Sequence, residues 1–265
     1  MTPHWPRALL RVGASLLFIL PLVWLCSAAL YSPGQPLPTS LQLLPENPTL
    51  QNFRRIWEIT PLARYTANSL LVAAIAVPLT LLTSSWAGFA IAHMPRATQR
   101  RLVLLSLAVL LVPGIALWVP RFLIYKELRL LESHAALIAP ALMGTSPFYV
   151  LMYFRAFRRI PAALYDAARL DGASPLQSWR QIAMPYVQPT TLGVALLSSM
   201  FYWSDYISPL LYLRRESQFT LPVGLQLLQQ LNRAEWGLLM AAATVASLIP
   251  MLLFFLLILH LTRRE

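Results

Sequence analysis

Residues 160–189 read IPAALYDAARLDGASPLQSWRQIAMPYVQP, and this polar stretch decides how the rest of the chain is interpreted. Pro161 suits the first turn of a helix, where its missing N–H leaves no hydrogen bond unmade. The residues from Ala162 to Leu170 are mostly strong helix formers. Gly172 then ends the helix, because glycine readily adopts the left-handed conformation found at helix C-termini. The first half of the stretch therefore predicts one short helix followed by a tight turn.

The second half of the stretch predicts another helix. Ser174, Pro175 and Gln177 have the residue types and spacing of the N-cap, N1 and N3 positions of a capping box. We expect this helix to end near Pro185 and Pro189. Two short capped helices would form a stiff unit, and long apolar segments flank it on both sides.

The composition is that of a polytopic membrane protein. Of 265 residues, 57% are hydrophobic and only 12% are charged, with a mean hydropathy of +0.58; a soluble domain is about a quarter charged. The net charge of +11 is explained by basic residues beside anionic lipid, so membrane lipid is an expected partner and nucleic acid is not. The single cysteine, Cys26, excludes an internal disulfide.

Six apolar stretches are long enough to cross a bilayer as helices, which predicts an all-α fold in a single transmembrane domain over residues 1–265. The predicted spans are 12–31, 70–92, 102–120, 134–154, 190–206 and 238–261. Arg7 and Arg11 ahead of the first span, with Ser27-Ala28-Ala29 near its end, could also be a signal peptide. The apolar run is long for that, so we expect an uncleaved span.

Basic residues indicate the orientation. With the N-terminus inside, the predicted cytoplasmic segments hold twelve of the 21 basic residues and the outer loops hold nine. Stronger evidence comes from clusters close to span ends, because the positive-inside rule applies best there. These clusters are Arg96, Arg100 and Arg101 after the second span, and Arg155, Arg158 and Arg159 after the fourth. Both termini and the loop 155–189 are therefore predicted to be cytoplasmic.

The loop also carries a family motif. Its segment DAARLDGA at 166–173, followed by Trp179, Ile182 and Pro185, resembles the EAA loop of ABC-importer permeases, where Glu is usual in place of Asp166 and Phe in place of Trp179. The resemblance implies that the loop docks on a cytoplasmic ATPase subunit. The implied coupling residues are Asp166, Ala167, Ala168, Asp171, Gly172, Ala173, Trp179, Ile182 and Pro185. An amphipathic helix lying on the membrane surface is the alternative, but the small alanines favour close docking against protein.

Other segments resemble the maltose/multiple-sugar subfamily of these permeases, and its G-type member in particular. They include PTLQNF at 48–53, WSDY at 203–206 and TLPVGL at 220–225. The resemblance implies the fold of a type I ABC importer permease in the cell inner membrane. It also implies the partners: a second permease subunit, two cytoplasmic ATPase subunits and an extracytoplasmic substrate-binding protein.

Hydroxyl and aromatic side chains in the fourth and fifth spans are candidates for a solute pathway, because hydroxyls hydrogen-bond sugars and aromatic rings stack on them. The candidates are Thr145, Ser146, Tyr149, Ser198, Ser199, Tyr202, Trp203 and Asp205. Ordinary helix packing is the favoured explanation for any single one of these Ser, Thr and aromatic side chains, so the pathway prediction rests on the group. Asp205 fits either a functional acid in the membrane or a residue at the interface.

The sequence thus predicts a permease subunit that forms half of the pathway for a sugar or sugar-like solute. No G-x-x-x-x-G-K-[ST] segment is present, so ATP hydrolysis is assigned to a partner chain, and neither enzymatic activity nor a cofactor is expected. The histidines His93, His134 and His260 are not spaced as metal ligands. The alternatives are a permease for polyamines or peptides, and a membrane assembly protein without transport activity.

Overall fold

A computed structural model describes residues 5–36, 44–142 and 146–262, and within these ranges the regular structure is helical. Long helices alternate with groups of short ones. In chain order the α-helices are α1 (Trp5–Ala29), α2 (Gln51–Ile59), α3 (Leu62–His93), α4 (Arg96–Leu110), α5 (Trp118–Glu127), α6 (Ala135–Leu142), α7 (Pro147–Phe157), α8 (Ala162–Leu170), α9 (Pro175–Ser178), α10 (Met184–Tyr186), α11 (Gln188–Ser204), α12 (Ile207–Tyr212), α13 (Leu221–Leu231) and α14 (Trp236–Thr262).

Three helical segments in the described ranges are long and apolar enough to cross a bilayer. They are Leu62–His93, Ala135–Phe157 and Trp236–Leu256, and they confirm three of the predicted spans as apolar helices. Residues 143–145, within the second of these, lie outside the described residues. Helix α1 contains a shorter apolar stretch, Leu17–Ala29. Helix α11 has 17 residues and is about 25 Å long, slightly short of a typical hydrocarbon core.

The third predicted span is wrong as a single continuous helix over 102–120. Helix α4 ends at Leu110, a 3-10 turn follows at Gly114–Leu117, and the two apolar halves are bent by 91°. Pro113 explains the break, because proline has no N–H to continue the helix and disfavours helical backbone in the residue before it. The segment is either a broken span or a re-entrant one.

The chain packs as two compact units. One comprises the described residues up to Thr66 together with Leu221–Met251. In this unit the fully buried Asn52 side chain donates hydrogen bonds from Nδ2 to the carbonyl oxygens of Ala29 (3.0 Å) and Tyr31 (2.7 Å). Buried amide groups of this kind fix the loop after α1 against α2.

The other unit comprises Ala67–Thr220 together with the chain after Met251. One of its apolar cores is built from α7, α11 and the segment that joins them, and includes Tyr153, Phe157 and Val194. Helix α3 approaches α7 closely at Gly88, where an added Cβ atom would lie 2.7 Å from Tyr153 Cβ. A glycine at such a crossing allows two backbones to pack together.

Candidate functional site

The first helix of the polar stretch has the predicted turn at its end. Helix α8 stops at Leu170, and Gly172 has φ +76°, the left-handed conformation that glycine was predicted to supply. Pro161 is the N-cap of α8 rather than a residue of its first turn. The turn therefore depends on a conformation that other residues adopt only at a cost in free energy.

The second helix begins with the predicted capping box. The backbone N–H of Gln177 donates to Ser174 Oγ (3.3 Å), and the backbone N–H of Ser174 donates to Gln177 Oε1 (2.7 Å). The helix is less regular than predicted, because α9 passes into a π-helical turn at Trp179–Ala183 before α10. Single π-helical turns occur often at functional sites.

The two helices enclose a groove of ≈ 370 Å³. Six of the nine predicted coupling residues line it, namely Ala167, Ala168, Asp171, Gly172, Ala173 and Ile182. Ala167 is exposed and Ala168 is buried. Of these neighbouring alanines on α8, Ala168 thus packs inside the chain, whereas Ala167 is open to a partner. The two helices also carry exposed leucines at 164, 170 and 176. The surface of the helix pair thus combines small residues with large apolar ones.

Asp166, Trp179 and Pro185 are not among the residues that line this groove. The Asp166 carboxylate lies 3.6 Å from the Arg169 guanidinium, with 66% and 69% of these side chains exposed. An exposed ion pair contributes little to stability, so the carboxylate remains accessible to a partner.

Aromatic rings join the helix pair to the end of α3. The indole rings of Trp86 and Trp179 meet edge to face with centroids 5.7 Å apart, and the Tyr165 ring lies 4.6 Å from that of His93. Phe89 contacts Tyr165 as well, at 6.1 Å. The sequence interpretation named Trp179 but missed its partner and Tyr165, since contacts between distant segments leave no local pattern. A movement of the helix pair would therefore displace rings that pack directly against α3.

Two polar atoms at this junction are buried without a hydrogen-bond partner in the described part of the chain. They are the Tyr165 hydroxyl and Trp179 Nε1. Burial raises the pKa of Tyr165 to about 12, because the charged phenolate would lose hydration. A tyrosine is protonated at neutral pH at its ordinary pKa, and burial extends this to more basic solutions.

The described serine and aspartate candidates for the solute pathway already make hydrogen bonds within the chain. Ser146 Oγ accepts from the Phe148 N–H (3.3 Å) and caps α7. The hydroxyls of Ser198 and Ser199 each donate to a carbonyl one turn earlier in α11, at 2.7 Å. Asp205 Oδ1 accepts from the Ser208 N–H (3.1 Å) in the first turn of α12. Each contact is one that a structural role would also produce.

The aromatic candidates are divided between two apolar cores. Tyr149 belongs to the core of α7 and α11, whereas Tyr202 belongs to the core that contains Tyr125 and Tyr212. The Tyr202 hydroxyl lies 3.2 Å from Thr80 Oγ1, a buried polar residue that the sequence interpretation missed. Trp203 is half-buried, and Thr145 lies outside the described residues. The pathway assignment stays a prediction.

Comparison with known proteins places residues 80–265 in a profile described as "binding-protein-dependent transport system inner membrane component". Two relatives are transport system permease proteins for carbohydrates. The sulfoquinovosyl glycerol permease protein SmoH of Agrobacterium fabrum is 29% identical over 90% of this chain and 85% of its own. The arabinooligosaccharide permease protein AraQ of Halalkalibacterium halodurans is 30% identical over 80% of this chain and 75% of its own.

The fold is also similar to that of a solved structure. A bacterial ABC transporter involved in the import of the acidic polysaccharide alginate contains a chain that superimposes with a TM-score of 0.75. The match covers 98% of both chains at 19% identity, so it concerns the fold alone.

Proposed function

This chain belongs to the family of binding-protein-dependent transport system inner membrane components, and on that premise we propose that it carries a sugar or sugar-like solute in an ATP-driven importer. The chain is a permease subunit in a multi-pass inner-membrane protein family. Its relatives are permease proteins for sulfoquinovosyl glycerol and arabinooligosaccharides, which supports a carbohydrate over a polyamine or a peptide.

The observation that carries the coupling part of the proposal is the capped helix pair. A turn held by Gly172 at φ +76° and a complete capping box at Ser174 make α8 and α9 a stiff unit. Its exposed Ala167 and the groove beside it offer a surface on which another protein can dock closely. The ring contact between Trp179 and Trp86 supplies a direct link to α3. We assign ATPase docking to this surface.

The assembly we propose contains a second permease subunit, two ATPase subunits and an extracytoplasmic binding protein. This chain contributes six spans in one permease domain, with both termini and the coupling loop in the cytoplasm. The basic clusters at 96–101 and 155–159 support this orientation. The candidate residues in α7 and α11 are proposed to face the solute only as a group, because the serine hydroxyls already have partners in their own helices and the Tyr202 hydroxyl meets Thr80 of α3.

Two experiments test the proposal. The first reconstitutes the chain with its partner subunits and measures uptake of labelled oligosaccharides together with ATPase activity stimulated by the loaded binding protein. Sugar uptake that depends on ATP is expected, and uptake of polyamines or peptides instead would contradict the solute class.

The second experiment tests orientation in a chain from which Cys26 has been removed. Single cysteines are placed at Leu176 and Gln230, which are both exposed; Gln177 is avoided because it closes the capping box. A membrane-impermeant maleimide should label the two positions from opposite sides. Labelling of both from outside would contradict the cytoplasmic loop.

A further inference from the structure

A second groove, of ≈ 520 Å³, lies between α4 and the end of α7, away from the helix pair. Arg96 and Arg100 enter it from α4, and Arg158 enters it from the residue that follows α7. Arg96 and Arg100 are four residues apart, which puts them on one face of α4. The three guanidinium groups thus face a shared space and are exposed.

Within the described ranges these arginines lack acidic partners. The ion pairs found in the described residues involve Arg55, Arg169, Arg214 and Arg215, and none involves Arg96, Arg100 or Arg158. Helix α4 also has no acidic residue in its first turn and no side-chain cap at Pro95. Its unpaired N–H groups and the positive end of its dipole add to the charge of the arginines. An anion would relieve this accumulation of positive charge.

Contacts with Gln99 and Phe154 fix the position of the Arg158 guanidinium. Gln99 is buried, and its Nε2 donates to the carbonyl oxygens of Ala92 (3.0 Å) and Met94 (2.8 Å). This leaves Gln99 Oε1 to accept from the Arg158 guanidinium at 2.9 Å. The same guanidinium lies 5.9 Å from the centre of the Phe154 ring. Arg158 is therefore held at the edge of the groove with donors to spare, since arginine has five.

The chemistry of the groove changes along α4. Past the arginines it is lined by Val103 and Leu104, and the exposed face of α4 continues with Leu105 and Leu107. Leu104 and Leu105 are 55% and 60% exposed. A soluble anion would use only the basic end, whereas a phospholipid would place its phosphate among the arginines and its acyl chains along the leucines. Basic pockets between membrane helices bind anionic headgroups in this way.

We propose that this groove binds the headgroup of an anionic phospholipid such as phosphatidylglycerol. Arg96, Arg100 and Arg158 contact the phosphate, and the exposed leucines of α4 contact the acyl chains. Lipid binding at this groove can be measured without a transport assay.

The test measures lipid retained by the assembled importer after purification from bilayers of equal parts phosphatidylglycerol and phosphatidylcholine, using native mass spectrometry. The wild-type complex should retain phosphatidylglycerol in preference. The double variant Arg96→Gln/Arg100→Gln should reduce that preference by roughly thirtyfold, the combined effect of two arginines at an anionic surface. The matched control is Arg155→Gln/Arg159→Gln, which removes two exposed arginines nearby that do not line the groove, and should behave as wild type.

Several results would overturn the proposal. One is a wild-type complex that does not prefer phosphatidylglycerol. Another is an equal loss of that preference in both double variants, which would indicate diffuse surface charge. Displacement of the lipid by inorganic phosphate would identify a site for a soluble anion. If Arg96→Gln/Arg100→Gln does not fold, Arg96→Lys/Arg100→Lys keeps the charge and should keep the preference, while Arg158→Gln alone should weaken it.

Discussion

The indole of Trp179 packs edge to face against the indole of Trp86, with ring centroids 5.7 Å apart. Trp179 opens the π-helical turn after the capped helix pair, and Trp86 lies within the long apolar helix α3. An edge-to-face pair contributes about 0.5–1.5 kcal/mol beyond the area it buries. The contact therefore couples a polar surface segment to an apolar span through two rigid rings.

This contact can be tested by changing the ring. We expect Trp179→Ala to reduce binding-protein-stimulated ATPase activity and uptake, because the helix pair loses its hold on α3, while the complex still assembles. Trp179→Phe is the control: it keeps an aromatic ring and removes Nε1, which has no hydrogen-bond partner among the described residues. Full stimulation in Trp179→Ala would show that the ring pair plays no part in coupling.

The turn at Gly172 gives a test of backbone conformation, because two side chains of similar size can be compared at one position of the groove. No atom lies within 4 Å of a Cβ built at Gly172, so the cost of a side chain there comes from φ +76°. Gly172→Val should impair transport without affecting membrane insertion, since β-branched residues avoid positive φ. Gly172→Asn should be tolerated much better, because asparagine adopts the left-handed region more readily. Equal activity of the two variants in uptake assays would refute a requirement for this turn.

The close approach of α3 and α7 predicts a sensitive site at Gly88. A Cβ atom there would lie 2.7 Å from Tyr153 Cβ and 2.9 Å from the Phe154 nitrogen, so the helices must separate to admit it. We expect Gly88→Ala to destabilise the protein by about 1–3 kcal/mol and to lower its melting temperature in detergent. Gly114→Ala is the matched control, because open space surrounds that position. A melting temperature unchanged by Gly88→Ala would contradict the close contact.

The capped helix pair could be predicted from sequence because caps and turns are local. Gly172, Ser174 and Gln177 lie within six consecutive residues, and the structure confirms the positive φ of the glycine and the capping box of the other two. The extent of the break in the third span could not be predicted, although Pro113 is visible in the sequence, since apolarity reports burial in lipid and not continuity of the helix.

The contacts of the candidate site with α3 could not be predicted from local sequence patterns. Trp86 and Trp179 are far apart in the chain, and nothing in either segment indicates that their rings meet. The same holds for Arg158, whose partner Gln99 lies 59 positions away. Family resemblance predicts which residues of the loop matter, whereas packing decides what they touch.

Asp166 tests whether the loop relies on charge. Its carboxylate is exposed and 3.6 Å from Arg169, and exposed pairs are worth about 0–1 kcal/mol. We therefore expect Asp166→Ala to lower stimulated ATPase activity by at most about fivefold, and Asp166→Asn to have a similar effect. A loss of tenfold or more would mean that the carboxylate is desolvated against the ATPase, where a charge-assisted hydrogen bond contributes about 1.5–3 kcal/mol.

Ala167 is the residue on which the docking assignment depends most. It is exposed and lines the groove between the helices, so added bulk would leave the fold of this chain intact but hold a partner away. We expect Ala167→Leu to abolish most of the ATPase stimulation in the reconstituted complex and to weaken co-purification of the ATPase subunits. Ala168→Leu should instead lower the melting temperature of the chain, because Ala168 is buried.

The matched control for Ala167→Leu is Ala162→Leu, which makes the same change at an exposed position of α8 that does not line the groove. It should retain stimulation and assembly. If Ala167→Leu also retains both, α8 is not packed against the ATPase, and the exposed alanine has no role in docking. If both variants lose them equally, the whole exposed surface of α8 is in contact with the partner, and the groove is not the determinant. Loss in Ala167→Leu alone would place the docked surface at the groove, on the side of α8 that faces the turn at Gly172.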